Sequence, residues 1–296
     1  MTDIPTIGTN PRFKHPDEGV IAALPKVVVG LPHSDSLVAT LRRIGVVYAE
    51  LSLSAGATEL PEYEDIDVRY VLRGHTLDDA RQALSLHGPR LLGFALDDAP
   101  DDGVLDLCAE HWLPVSGRLD DLPHGAVQRV ECGVEICDDF GVDEDGITLG
   151  GRSAWVRDRR VPVLLAATEE DLADHPLPLL RDVGMASVPL SPGNRLLREL
   201  KDLVDSYGYG PEELLEITSD ALDASFLSLP ERSTLFNQVI LPAYAELADP
   251  EEQEAEDEET HEHEEAAGSA AGTPKPPSGG SPSGANGGGL SLTLDI

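Results

Sequence analysis

The fold class this sequence predicts is α/β: a shortened (β/α)8 barrel of the TIM type, with C-terminal helices and a disordered acidic tail. Three observations carry that expectation. Eight short β-type runs follow one another between residues 26 and 190. Most are rich in Val, Ile and Leu without strict alternation, as in parallel strands buried on both faces. Several are preceded by segments of helical periodicity, so helices and strands alternate. A doubly wound open sheet shares that alternation, and periodicity alone leaves both architectures open.

Taken in order, residues 1–20 are polar and read as an N-terminal arm, residues 21–248 as the barrel and residues 249–296 as the tail. The first three runs are 26–30, 46–53 and 68–72. A helical pattern over 77–84 precedes the fourth run, 91–96, and another over 104–110 precedes the fifth, 113–116. The sixth run is read as one strand over 127–136, and the seventh is 161–166. A helical segment at 176–182 leads to the eighth, 186–190. Asn194 offers a capping side chain to a helix over 195–203. Pro211 suits the first turn of the next helix. A last helix over 230–247 should end or kink at Pro242.

The tail follows from composition. Residues 249–265 hold 11 acids and no lysine or arginine, and the chain then turns Gly/Pro/Ser-rich. Such a segment buries too little apolar surface to offset chain entropy. The final Leu290, Leu292, Leu294 and Ile296 alternate with polar residues, as in an extended terminus. The formal net charge is −34, and residues before 249 still carry 43 acids against 20 Lys and Arg. That field repels phosphate backbones and anionic lipid, which argues against nucleic-acid and membrane partners. No apolar run near Met1 reads as a signal peptide. Three irregularly spaced cysteines give no disulfide framework, so a reducing cytoplasm is the expected location.

Cys132 and Cys137 lack metal-pair spacing, and core packing is the default for both. Cys132 would be reactive only beside a cation, for which Arg118 and Arg129 are the candidates. Asp97 and Asp98 follow the fourth run, where a carboxylate pair could serve acid–base chemistry; a solvated loop is the plainer reading. His75, His87, His111 and His124 sit in or beside predicted loops and turns, and His175-Pro176 reads as a helix start. His261 and His263 belong to a solvated charge run.

Several segments resemble the adenosine deaminase family, in that family's own order. They are Leu24-Pro25-Lys26 with the strand that follows, residues 45–51, residues 92–96, His175-Pro176-Leu177 with residues 179–184, and residues 219–227. Arg129-Val130-Glu131-Cys132-Gly133-Val134 is similar to the family's Arg-Ile-Gly-His-Gly-Val. The resemblance covers roughly residues 24–247. It implies a barrel whose C-terminal mouth holds zinc through two histidines after the first strand, a third after the fifth and an aspartate after the eighth, with a glutamate and a further histidine moving protons. Carried onto this chain, those positions fall on Gly30 and Pro32, Ser116, Gly193 and Asn194, Leu119 and Cys132. None is a usable zinc donor set, so no metal, no other cofactor and no catalytic residue are expected. The family's lid insertions are also missing, since about fifteen residues separate the first and second runs.

The resemblance therefore implies a catalytically inactive deaminase homologue whose partner is a purine ligand or a paralogous active deaminase. Its pocket mouth would be lined by His33, Asp97, Asp98, Arg118 and Cys132. One alternative is an active metal-dependent adenosine or adenine deaminase with a non-standard site built from His33, Asp97 or Asp98. Another is an interaction module working through the acidic tail.

Overall fold

In the computed structural model, residues 16–118, 127–144, 146–167 and 175–246 are described. The chain divides into two units, Met1–Ala248 and Asp249–Ile296. The tail, most of the predicted arm, Leu119, His124, His261 and His263 lie outside the described residues.

All eight expected runs form strands. They are β1 (Lys26–Pro32), β2 (Val46–Ser54), β3 (Asp67–Gly74), β4 (Leu91–Leu96), β5 (Val115–Gly117), β6 (Arg129–Cys132), β9 (Val163–Leu165) and β10 (Ser187–Pro189). They pair in parallel in the order β1-β2-β3-β4-β5-β6-β9-β10. A doubly wound sheet would reverse direction at a switch point, and this one never does. It curls instead. A Cβ built on Gly30 of β1 would lie 2.7 Å from Leu164 Cδ1 on β9 and 3.8 Å from Glu131 Oε1 on β6. No backbone ladder joins β10 to β1 among the described residues. The fold is a shortened (β/α)8 barrel.

The crossovers explain the shortening. α2 (Asp35–Arg43) joins β1 to β2, α3 (Leu77–Leu86) joins β3 to β4, α4 (Val104–Glu110) joins β4 to β5, and α6 (Pro176–Asp182) joins β9 to β10. The β2–β3 connection has no helix. α3 starts at a capping box in which Thr76 Oγ1 accepts from Asp79 N–H at 3.1 Å and Asp79 Oδ2 accepts from Thr76 N–H at 3.0 Å. Its Ala80 and Ala83 pack inward at helical spacing. His175 caps α6, its Nδ1 accepting from Leu177 N–H at 3.1 Å, as the helix-start reading expected.

Four sequence expectations need correction. The arm ends sooner than residue 20, because Asp17 caps α1 (Glu18–Ala23). The sixth run stops at Cys132. A 3-10 helix (Val134–Asp139) follows, then the antiparallel hairpin β7 (Phe140–Asp143) and β8 (Gly146–Leu149), and α5 (Gly151–Asp158). α7 (Asn194–Tyr207) is capped by Gly193 rather than Asn194, because Gly193 has φ +55° and a Cβ there would meet Thr40 Cγ2 at 2.9 Å. The last helix continues past Pro242. After α8 (Pro211–Asp223), α9 (Leu229–Leu235) runs into a π-helical turn (Phe236–Ile240) and then α10 (Leu241–Ala245). A wider turn is how a helix accommodates the missing proline N–H without breaking.

One end of the barrel is sealed. Arg129 and Glu50, both fully buried, form an ion pair there. Arg129 Nη1 also donates to Ala224 O at 3.1 Å, and Glu50 Oε2 accepts from Phe226 N–H at 2.8 Å. The Phe226 ring lies 4.1 Å from the Arg129 guanidinium carbon. A Cβ on Gly93 would meet that ring at 2.6 Å, so the glycine makes room for the plug.

Candidate functional site at the barrel mouth

The opposite end is built around Glu131. Side chains two apart on a strand share a face, so Glu131 points into the wheel with Arg129, but nearer the C-terminal ends of the strands. Arg73 Nη2, near the end of β3, donates to both carboxylate oxygens at 2.9 and 2.8 Å. Ser116 Oγ, on β5, donates to Oε1 at 2.9 Å. Arg73 Nη1 reaches Leu96 O at 3.4 Å. The Arg73 and Glu131 side chains keep 26% and 15% of their exposure, so water reaches the pair.

Glu131 also forms part of the wall of an open cleft of about 180 Å³. Arg118 flanks it beyond β5, and Cys132 and Ile136 contribute apolar surface. Glu135 and Asp139 come from the 3-10 helix, and Arg152 from the first turn of α5. The mouth of a barrel is where loop variation builds sites. Burial pushes the Cys132 thiol up to about 12, with Glu135 and Cys137 adding to the shift, so it is a protonated packing residue near neutral pH. Arg129 is no partner for it, being bonded to Glu50 at the sealed end.

The residues expected at the mouth separate into three places. Arg118 and Cys132 meet at the cleft. His33 Nε2 bonds Tyr63 Oη at 2.8 Å, and Tyr63 donates to Asp35 at 2.6 Å, pinning the β2–β3 connection. Asp97 accepts from His75 at 2.9 Å, a bond that raises the His75 pKa. Asp98 bonds the adjacent Ala99 N–H at 2.8 Å. Asp97 and Asp98 thus form a solvated turn. Asn194 Oδ1 accepts from Arg43 at 3.3 Å, and Pro32 ends β1 on the surface.

These residues do not fit a zinc ion. Gly30 has φ +85°, and Leu164 and Leu190 fill the space its side chain would need. Ser116 is committed to Glu131, and the Arg73 guanidinium already supplies the positive charge facing that carboxylate. Among the described residues no three His, Cys, Asp or Glu side chains converge as metal ligands. Two groups central to this end, Arg73 and the carboxylate role of Glu131, were missed by sequence reading. Their signal was available: a charged residue inside an apolar β-type run must find a partner when buried.

No family profile matches the chain. Over 133 residues it is 34% identical to adenosine deaminase 1 of Streptomyces coelicolor, a match covering 40% of this chain and 33% of that protein. It is 36% identical over 133 residues to an adenosine deaminase of Mycobacteroides abscessus, covering 40% and 36%. The chain thus spans about a third of the length of the curated relatives it matches. Among solved structures, the apo N6-methyl-AMP deaminase of Arabidopsis thaliana superposes with a TM-score of 0.55 at 13% identity, over 79% of this chain and 100% of that one. A zinc-bound amidohydrolase from Burkholderia ambifaria gives 0.54 at 14% identity, over 79% and 94%. Likeness at that identity concerns the fold. The matched sequence segment, carried on that shared barrel, makes this chain a divergent relative of the adenosine deaminases.

Proposed function

We propose that the chain is an adenosine-deaminase-like protein that does not catalyse zinc-dependent deamination and acts by binding. Its ligand would be a purine or its partner a paralogous active deaminase, in the cytoplasm. The observation that supports this most is the fate of the mouth. A guanidinium–carboxylate pair and two leucines occupy the space where a metal and its histidines would have to sit. An arginine cannot lower the pKa of a bound water as a Lewis-acidic metal does. The net negative charge agrees with a role away from nucleic acid.

The test is metal analysis of the purified full chain together with an adenosine-to-inosine assay. Sub-stoichiometric zinc and no turnover are expected, with a purine or a co-expressed deaminase retained in a pull-down. Stoichiometric zinc with turnover overturns the reading.

A further inference from the structure

We propose that the β7–β8 hairpin is a docking arm, which takes up an extended, cationic segment of a partner protein as a third strand. This surface goes beyond the proposed function, whose ligand was placed by the fate of the mouth. The hairpin follows β6 and its 3-10 helix and precedes α5, on the side where barrel folds vary their loops to build sites.

Phe140 lies opposite Leu149, and Val142 opposite Ile147. Residues directly opposite, and residues two apart on a strand, share a face, so these four side chains form one apolar row. Only the inner half of the row is covered. Phe140 and Leu149 pack against the core, whereas Val142 is 84% and Ile147 46% exposed. The other face has no such row, since Gly141 lies opposite Thr148. Among the described residues the sheet has two strands, and no backbone hydrogen bond from Gly141, Val142, Ile147 or Thr148 leaves the hairpin. Each strand therefore keeps an open edge. A two-stranded ribbon is marginal alone, and an added strand both completes its ladder and covers its apolar face.

Charge selects the occupant. Residues 138–149 hold five acids and no lysine or arginine, and Asp138 and Glu144 are exposed. A second copy of this chain would bring the same acids to the contact, on a molecule of formal charge −34, so self-pairing is opposed. Nucleic acid and anionic lipid are opposed for the same reason. A partner strand that alternates apolar residues with lysine or arginine meets both features. Its apolar side chains extend the Val142–Ile147 row, and its cations answer the acids of the hairpin.

The experiment is calorimetric titration of the full chain with a synthetic peptide of about ten residues alternating valine and lysine. Two further peptides run beside it: the same sequence N-methylated at its central residues, which keeps the charge but cannot donate to a ladder, and a valine–glutamate version. The valine–lysine peptide should bind, the N-methylated one about tenfold more weakly or worse, and the valine–glutamate one not at all. The double variant Val142→Thr with Ile147→Thr keeps strand propensity and removes the apolar pair. It should weaken binding of the valine–lysine peptide by roughly tenfold, with a melting midpoint close to the parent's because both side chains reach solvent. The proposal is overturned if the valine–lysine peptide does not bind, or if the N-methylated peptide binds as well, which would reduce the attraction to the chain's overall field. It is equally overturned if the double variant binds as tightly as the parent. Sedimentation of the free chain covers the remaining occupant: a monomer is expected, and a dimer that the double variant dissociates would assign the hairpin to self-association instead.

Discussion

The two ends of the barrel hold ion pairs of the same composition in opposite settings. At the sealed end, Glu50 and Arg129 are fully buried under the segment that follows α8, with Phe226 stacked on the guanidinium. At the mouth, Arg73 and Glu131 are partly exposed, and Glu131 borders an open cleft. The same chemistry therefore has different consequences. A pair with no water has no substitute partner when one member is lost. A wet pair can be replaced, screened or diverted to a ligand. Barrel folds keep stability and chemistry at opposite ends, and the two pairs of this chain follow that division.

The largest expected effect tests the dry pair. Arg129→Met should destabilise the chain by about 3–5 kcal/mol in urea denaturation, because Glu50 is left charged, buried and held only by the Phe226 N–H. Glu50→Leu combined with Arg129→Met should recover most of that loss, since the unpaired charge is gone. A single-variant loss below about 1 kcal/mol would show that water enters the sealed end and would erase the contrast.

The wet pair should respond less. Arg73→Met is expected to lower stability by about 1–3 kcal/mol, because solvent and Ser116 Oγ still reach Glu131. Its loss should grow as salt falls, whereas that of Arg129→Met should not change, since screening acts on exposed charges. Equal losses at both ends, with equal salt dependence, would make the mouth a second structural end.

This asymmetry also explains what the sequence made legible. Apolar runs report burial directly, so all eight strands and the sequential wheel could be read from them. The 3-10 helix and the β7–β8 hairpin could not, because Val134 and Ile136 extend the apolar pattern of β6 beyond Cys132, where the strand ends. The ion pairs join residues 58 and 79 positions apart, a separation over which local pattern carries no information. Of the expected mouth residues, Arg118 and Cys132 reach the cleft. His33 and Asp97 were plausible by position after a strand, but each was taken by a nearer partner, Tyr63 and His75.

The smallest effect concerns Lys26, another buried charge, at the start of β1, with no carboxylate partner among the described residues. Its Nζ donates to Leu24 O at 2.7 Å, Ile44 O at 2.9 Å and Ala22 O at 3.3 Å. Burial lowers its pKa to about 7, against 10.5 when exposed. Between those values the unfolded chain holds more protons than the folded one, so stability should rise with pH across that window and stay flat below it. Three carbonyl acceptors favour the ammonium and oppose the burial, so the gain from pH 7 to 9 is expected to be on the order of 1 kcal/mol. The half-buried Tyr209 and the buried Tyr244 are both raised to about 12, so they retain protons above pH 10 and act in the opposite direction there. Lys26→Met removes only the first contribution. If the parent and Lys26→Met show the same slope of stability between pH 7 and 9, the lysine is fully charged in the fold, and the carbonyl cage rather than burial governs its proton.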